Sequence, residues 1–215
     1  MTESERCGAD LPAARVRASV RLPLSLADGS EAVALAHSFH GLIDGGEHLA
    51  LAFAPARDTP MVRVHSECMT GDALGSLRCD CGPQLRESLR RLRLTGGYLL
   101  YLRQEGRGLG LYRKLDAYHL QEHGHDTFAA NRALGRGADE RAYAVAAQML
   151  RALGVGRIEL LSNNPDKRVQ LERFGIEIAA MRTTGVHASH HNVNYLRAKA
   201  AQAGHAIALG SDAPD

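Results

Sequence analysis

The chain has 215 residues, 45% of them hydrophobic, with 26 basic and 24 acidic side chains and a formal net charge of +2. That length buries a full core in one domain or two fused lobes, and so balanced a charge excludes a broad nucleic-acid footprint, although local arginine clusters can still hold phosphates. No apolar run approaches the roughly 20 residues of a membrane helix, and Met1–Arg6 lacks a basic stretch followed by an apolar one, so a cytoplasmic protein with no membrane and no nucleic-acid partner is expected.

Residues 1–12 read as a flexible start. Strands are expected over Val16–Leu26, Glu31–His40 and His48–Ala54, with Asp44-Gly45-Gly46 as a turn, which makes the N-terminal part β-rich. Pro60–Glu67 reads as a further strand, and Pro83–Leu94 as a helix with Leu85, Leu89 and Leu92 on one face. Then come a buried strand, Gly97–Gln104, and a helix, Leu111–His123. A second helix, Asp139–Leu153, turns Tyr143, Ala146, Ala147, Leu150 and Leu153 inward. Arg157–Ser162 is a strand, Pro165 opens a helix that ends near Gly175, Ile176–Met181 is a strand and Asn192–Ala203 a last helix. This alternation predicts an α/β fold: a mixed, largely parallel sheet flanked by helices. With no repeat or linker in view, residues 13–206 read as a single domain and 207–215 as a flexible end.

Three of the four cysteines, Cys68, Cys79 and Cys81, fall within fourteen residues. A lone cysteine is more often a small core residue, and Cys7, alone in a polar terminus, is given no role. The Cys79-Asp80-Cys81 spacing suits neither a helix face nor a disulfide, and Gly82 lets the backbone bend. Three local thiols therefore point to zinc, and to a catalytic centre with an open position; a fourth ligand such as His65 would make the site structural.

Three further segments stand where a predicted helix begins, two of them directly after a strand. Arg103-Gln104-Glu105-Gly106-Arg107-Gly108 can present backbone N–H groups to an anion, with Arg107 on a phosphate and Glu105 on the N–H edge of a guanine-like ring. A glycine-rich turn alone is weak, being neither a Walker loop nor a dinucleotide fingerprint. Asp139-Glu140-Arg141 reads alone as helix capping. Ser162-Asn163-Asn164-Pro165-Asp166-Lys167 also reads as a capped helix, except that Lys167 is one of only three lysines, with Lys114 and Lys199.

Together, Arg63-Val64-His65-Ser66-Glu67-Cys68, the Cys-x10-Cys-x-Cys spacing, Arg103–Gly108, Asp139–Arg141 and Asn163–Lys167 occur in the order found in the GTP cyclohydrolase II family. The chain resembles that family over about residues 15–205, without the dihydroxybutanone-phosphate synthase domain of fused members. The resemblance implies hydrolysis of GTP to formate, pyrophosphate and 2,5-diamino-6-(5-phosphoribosylamino)pyrimidin-4(3H)-one, the first committed step of riboflavin biosynthesis. It implies one Zn2+ per chain on Cys68, Cys79 and Cys81, Mg2+ on the triphosphate, and a homodimer. It places GTP on Arg63, Val64, His65, Ser66, Glu67, Gln84, Glu105, Gly106, Arg107, Thr127, Ser162 and Lys167. Asp139 matches a proton acceptor, Arg141 a nucleophile at the α-phosphate and Tyr118 a residue that completes ring opening. Because a guanidinium stays protonated, transition-state stabilisation by Arg141 is the physically easier role.

The departures are local. Ala142 stands where the family commonly carries an acid, Ser162 replaces a frequent threonine, and Arg182-Thr183-Thr184-Gly185-Val186 with His187, His190 and His191 differs from the usual pattern. They leave room for a diverged paralogue of a secondary pathway, with the same or a formamide product. A non-catalytic zinc and nucleotide-binding module is the contrasting class, but six Tyr, four Phe and no Trp provide no base-stacking platform of the RNA-binding kind.

Overall fold

The computed structural model describes residues 11–108, 110–123, 142–193 and 196–197. Its strands are β1 (Arg15–Ser25), β2 (Glu31–His40), β3 (Leu49–Phe53), β4 (Met61–Ser66), β5 (Gly97–Leu102), β6 (Arg157–Leu161) and β7 (Glu177–Arg182). Its helices are α1 (Met69–Asp72), α2 (Cys81–Thr95), α3 (Leu111–Glu122), α4 (Ala144–Ala152) and α5 (Pro165–Arg173), with a 3-10 turn at Glu105–Gly108.

The strands form one sheet in the order β1-β2-β3-β5-β4-β6-β7. The expected mixed α/β class is borne out, but the sheet is less parallel than the alternation of elements suggests. Pairing is antiparallel from β1 through β2 and β3 to β5, and parallel from β4 through β6 to β7. The reason lies in the connections. Leu26–Ser30 closes β1 onto β2 through the Leu26 N–H to Ser30 carbonyl bond and the Gly29 N–H to Leu26 carbonyl bond, a link too short for the crossover that parallel strands require.

Burial follows from strand position. β5 lies inside the sheet, so its residues Leu99, Leu100 and Leu102 are all buried, but on opposite faces. Leu100 and Leu102 join Val62, Val64, Ile158 and Leu160 under Ala146, Ala147, Met149 and Leu150 of α4. Leu99 joins Ala34, Ala36, Leu51 and Phe53 under Leu92 of α2, with Leu85 and Leu89 packed at its margin. Each fully buried leucine stabilises the fold by about 1.5–3 kcal/mol before entropy is counted. The turn from α2 into β5 needs glycine: Gly96 has φ +74°, and a Cβ there would stand 2.0 Å from the Pro55 carbonyl oxygen.

Buried polar groups tie the loops to this frame. Gln148, 2% exposed, accepts the Ile43 N–H at 2.8 Å and donates to the Pro12 carbonyl at 2.6 Å. His48 accepts the Arg103 N–H on Nδ1 at 3.0 Å, which leaves Nε2–H to donate to Asp44 at 2.8 Å. Past β7, Asn163 grips residue 184 through its backbone in both directions, accepting the Thr184 N–H at 2.9 Å and donating to its carbonyl at 3.1 Å. Glu87 accepts the Gly185 N–H, and Arg91 donates to the Thr183 carbonyl at 2.8 Å.

By contact density the residues fall into two compact units. Among the described residues, the first contains 11–65, 84–103 and 142–185, and hence the sheet apart from Ser66; the second contains 66–83, 104–108, 110–123, 186–193 and 196–197.

Candidate metal centre and nucleotide residues

In the second unit, the chain leaves β4 and folds into the single helical turn α1, which the sequence reading missed because four residues carry no periodicity. The Asp72 N–H donates to the Cys68 carbonyl at 2.7 Å, and the Asp72 carboxylate accepts the Cys68 N–H at 3.0 Å. This closed turn aims Cys68 at Cys79 and Cys81. The three sulfurs lie within 4.8 Å of one another, with 3.6 Å between those of Cys68 and Cys79, and no disulfide joins them. Gly71 forms the floor: a Cβ there would come within 2.8 Å of the Cys79 sulfur and 3.1 Å of the Cys68 sulfur.

This donor set fits zinc. Thiolates are soft ligands, and bonds of about 2.3 Å in a tetrahedral centre separate two sulfurs by about 3.8 Å, close to the spacing found. Hydrogen bonds from Cys79 and Cys81 hold the Cys68 thiol far below the ordinary thiol range against the opposing effect of burial, and Lys114 adds to the lowering. The bond to Cys68 pushes the Cys79 thiol up to about 11, and burial adds to it.

Around the sulfurs stand Lys114, Glu105, Thr70 and Tyr118. Lys114 Nζ donates to Cys68 Sγ at 3.1 Å and to Glu105 Oε1 at 2.9 Å. Burial disfavours its charge, but the Cys68 thiolate and Glu105 more than offset this and raise its pKa. Glu105 also accepts the Met69 N–H at 2.6 Å and the Gly106 N–H at 2.7 Å. Three of about four lone-pair sites on the carboxylate are therefore used within the protein. Tyr118, on α3, lies under the Arg78 guanidinium at 4.8 Å. Burial pushes its phenol up to about 12 despite nearby Lys114, further above neutral pH than the ordinary phenol, which is itself a protonated hydrogen-bond donor there.

The first unit brings together a second set of expected residues. Arg63, 5% exposed, donates to the Leu161 carbonyl at 3.2 Å and to Gln84 Oε1 at 2.9 Å. Lys167 Nζ donates to the Val64 carbonyl at 2.6 Å and stands 5.3 Å from the centre of the Tyr143 ring. Ser162 Oγ accepts the Asn164 N–H at 3.0 Å, and the Asn164 side chain caps α5 by accepting the Asp166 N–H. His65 is buried and stacks on Tyr101 with 5.6 Å between ring centres.

Ser66 ends β4 with its hydroxyl oxygen buried, and Glu67 is half-buried after it. Gly106 takes a positive φ in the 3-10 turn that also carries the backbone of Arg107. Thr127, Asp139 and Arg141 lie outside the described residues. The expected helix from Asp139 is corrected at its start: residues 142–143 are not helical and α4 begins at Ala144, because the Tyr143 N–H is taken by Gln170 Oε1 at 2.9 Å. Sequence reasoning missed Gly71 and Lys114, whereas Tyr143, expected to face inward, is 1% exposed. Lysine scarcity was a signal for Lys114, whereas nothing in a lone glycine marked the floor of the cluster.

These features define a mixed α/β protein with a three-cysteine centre competent to bind a soft divalent metal. The family model for GTP cyclohydrolase II matches residues 18–183. The chain is 48% identical to the GTP cyclohydrolase-2 of Vibrio cholerae over 199 residues, covering 91% of this chain and all of that one. It is 49% identical to that of Vibrio parahaemolyticus, covering 89% and 98%. It is also 51% identical to the riboflavin biosynthesis protein RibBA of Thermotoga maritima, over 79% of this chain and 44% of that one. The chain belongs to the GTP cyclohydrolase II family, and the expected family and enzyme class are thereby borne out. Among the described residues, no helix is long and apolar enough to cross a membrane.

Proposed function

We propose that the chain hydrolyses GTP to 2,5-diamino-6-(5-phosphoribosylamino)pyrimidin-4(3H)-one, formate and pyrophosphate, as the first committed step of riboflavin biosynthesis. The observation that carries the reading is the three-sulfur cluster floored by Gly71 in a chain of this family. Cys68, Cys79 and Cys81 would hold one Zn2+. When bound, it supplies the Lewis acidity that makes water nucleophilic near neutral pH, as attack at C8 of guanine requires.

The chain's own groups have distinct tasks in this reading. Tyr118, a protonated phenol at neutral pH, donates a hydrogen bond during ring opening and formate release. Lys167, held by the Val64 carbonyl, offers a compact positive charge to phosphate, and Ser162 a hydroxyl. Arg63 occupies the Gln84 carbonyl oxygen and so fixes which way that amide points toward the nucleotide. His65, Ser66, Glu67, Gly106, Arg107 and Thr127 complete the proposed contacts, and Glu105 has at most one lone-pair site left for the base. Asp139 accepts a proton, and Arg141 stabilises charge at the α-phosphate. Mg2+ accompanies the triphosphate, bound by phosphate oxygens and water.

A cytoplasmic location and a homodimer are part of the proposal; for the dimer, the β1–β2 hairpin exposes apolar residues on both faces, Val20 and Leu22 on one and Val33 and Leu35 on the other. The test is incubation of the zinc-loaded protein with GTP and Mg2+, following formate, pyrophosphate and product mass together. Equal formate and pyrophosphate with the diaminopyrimidine is the expected result. A formamide product or no turnover refutes the assignment, and undiminished formate release by Cys79→Ser removes the cysteines from the chemistry.

A further inference from the structure

Of the three lysines in a chain with 26 basic residues, Lys114 is placed against a sulfur. Its side chain is 12% exposed and that of its partner Glu105 10%. A buried ion pair recovers its desolvation cost only when further hydrogen bonds use the remaining donors and lone pairs. Here they do: one ammonium group reaches both Glu105 Oε1 and Cys68 Sγ, while Glu105 also holds the N–H groups of Met69 and Gly106. Met69 directly follows a cysteine of the cluster, and Gly106 belongs to the glycine-rich turn. The pair thus connects the cysteine loop, the glycine-rich turn and α3 within one unit.

Charge gives this connection a further purpose. Three thiolates around a divalent cation leave a net charge of −1, and an adjacent ammonium group brings the assembly to neutrality. An N–H···S bond also withdraws electron density from the sulfur, so the sulfur donates less to a metal and the metal stays a stronger Lewis acid. A guanidinium is planar, more weakly hydrated and spreads its charge over a fork of donors. The three-pronged ammonium suits two acceptors of different size better.

We propose that Lys114 is a positioning residue of the metal centre: through Cys68 it balances the charge of the three-thiolate site, and through Glu105 it fixes the glycine-rich turn to the cysteine loop. This rests on the zinc reading above. Cobalt(II) is the probe, since it replaces zinc in thiolate sites and its sulfur-to-cobalt charge-transfer band reports the electron density on sulfur. Wild-type protein, Lys114→Met and Lys114→Arg are loaded with cobalt and compared by absorption, by metal stoichiometry and by thermal melting.

The expected result is one cobalt per chain in all three, with the band of Lys114→Met moved to lower energy and that of Lys114→Arg largely restored, since arginine can still donate to sulfur. With zinc in place of cobalt, kcat of Lys114→Met should fall at least tenfold, because the Lewis acid is weakened. An unchanged band in a folded, cobalt-loaded Lys114→Met overturns the proposal while leaving the metal reading intact. Absence of any sulfur-to-cobalt band in the wild type refutes the metal reading itself. Should Lys114→Met not fold, Lys114→Gln, which removes the charge but keeps a polar side chain, decides in its place: a band moved to lower energy supports the proposal, and one identical to wild type overturns it.

Discussion

Replacing Gly71 with alanine adds one methyl group to the floor of the cysteine cluster, and its cost can be worked out from three distances. The new Cβ would lie 2.8 Å from the Cys79 sulfur, 3.1 Å from the Cys68 sulfur and 3.2 Å from the Cys81 Cβ. Ordinary contacts begin at about 3.5 Å, so the sulfur of Cys79 must move by roughly 0.7 Å, whereas metal–ligand distances tolerate only about 0.2 Å. Alanine is the better helix former and Gly71 lies in the helical turn α1, so backbone conformation does not confuse the outcome. Overpacking costs about 1–3 kcal/mol, and a value of about 2 kcal/mol weakens zinc binding roughly thirtyfold. Competition against a chromophoric chelator measures this directly, with thermal melting of the zinc-free forms as the control. Wild-type zinc affinity in Gly71→Ala would refute the reasoning, for it would mean that the sulfurs do not close over Gly71 in solution.

Three other outcomes are expected. In Asp44 burial opposes the charge, but hydrogen bonds from Gly46 and His48 outweigh it and lower the carboxyl pKa from its ordinary 3.8; its contribution is therefore complete above that value and lost as pH falls through the lowered one. Asp44→Asn should cost about 1 kcal/mol at pH 7 and progressively less as the pH falls below 3.8, read from denaturant melts across that range. Lys167→Met should raise KM for GTP at least tenfold with a smaller effect on kcat, in steady-state formate assays; an unchanged KM would take Lys167 off the phosphates. Asn163→Ala removes two buried hydrogen bonds to residue 184 and should destabilise by about 2–3 kcal/mol in urea, whereas a loss under 0.5 kcal/mol would show that the segment is held by other means.

The strands were legible because alternation and flanking turns mark them: β2 spans Glu31–His40 as expected, and β1, β3, β4 and β6 differ by a residue or two. Leu92 and the α4 residues Ala146, Ala147 and Leu150 are buried as their spacing requires. Strand direction was less legible, since periodicity tells which residues face inward but not which neighbour a strand pairs with. The cysteine cluster was legible from spacing alone. What surrounds it was not: Lys114 is 46 positions from Cys68, and its contact to sulfur depends on where α3 packs. Glu105 shows the same limit from the other side. Its type fits a guanine edge, yet the fold gives most of its lone pairs to Met69, Gly106 and Lys114.

The segment from Thr183 to Gly185 is gripped by its main chain: Asn163, Glu87 and Arg91 all bind N–H or carbonyl groups there. Such a grip cannot distinguish one side chain from another. Drift at exposed Thr183 is therefore cheap, because the path of the chain is stored in the residues that hold it, whereas Thr184, 4% exposed, is limited by its packing. The burden of the path falls instead on a buried amide and an ion pair elsewhere in the sequence, and a substitution at Asn163 or Glu87 should be felt more than one at Thr183.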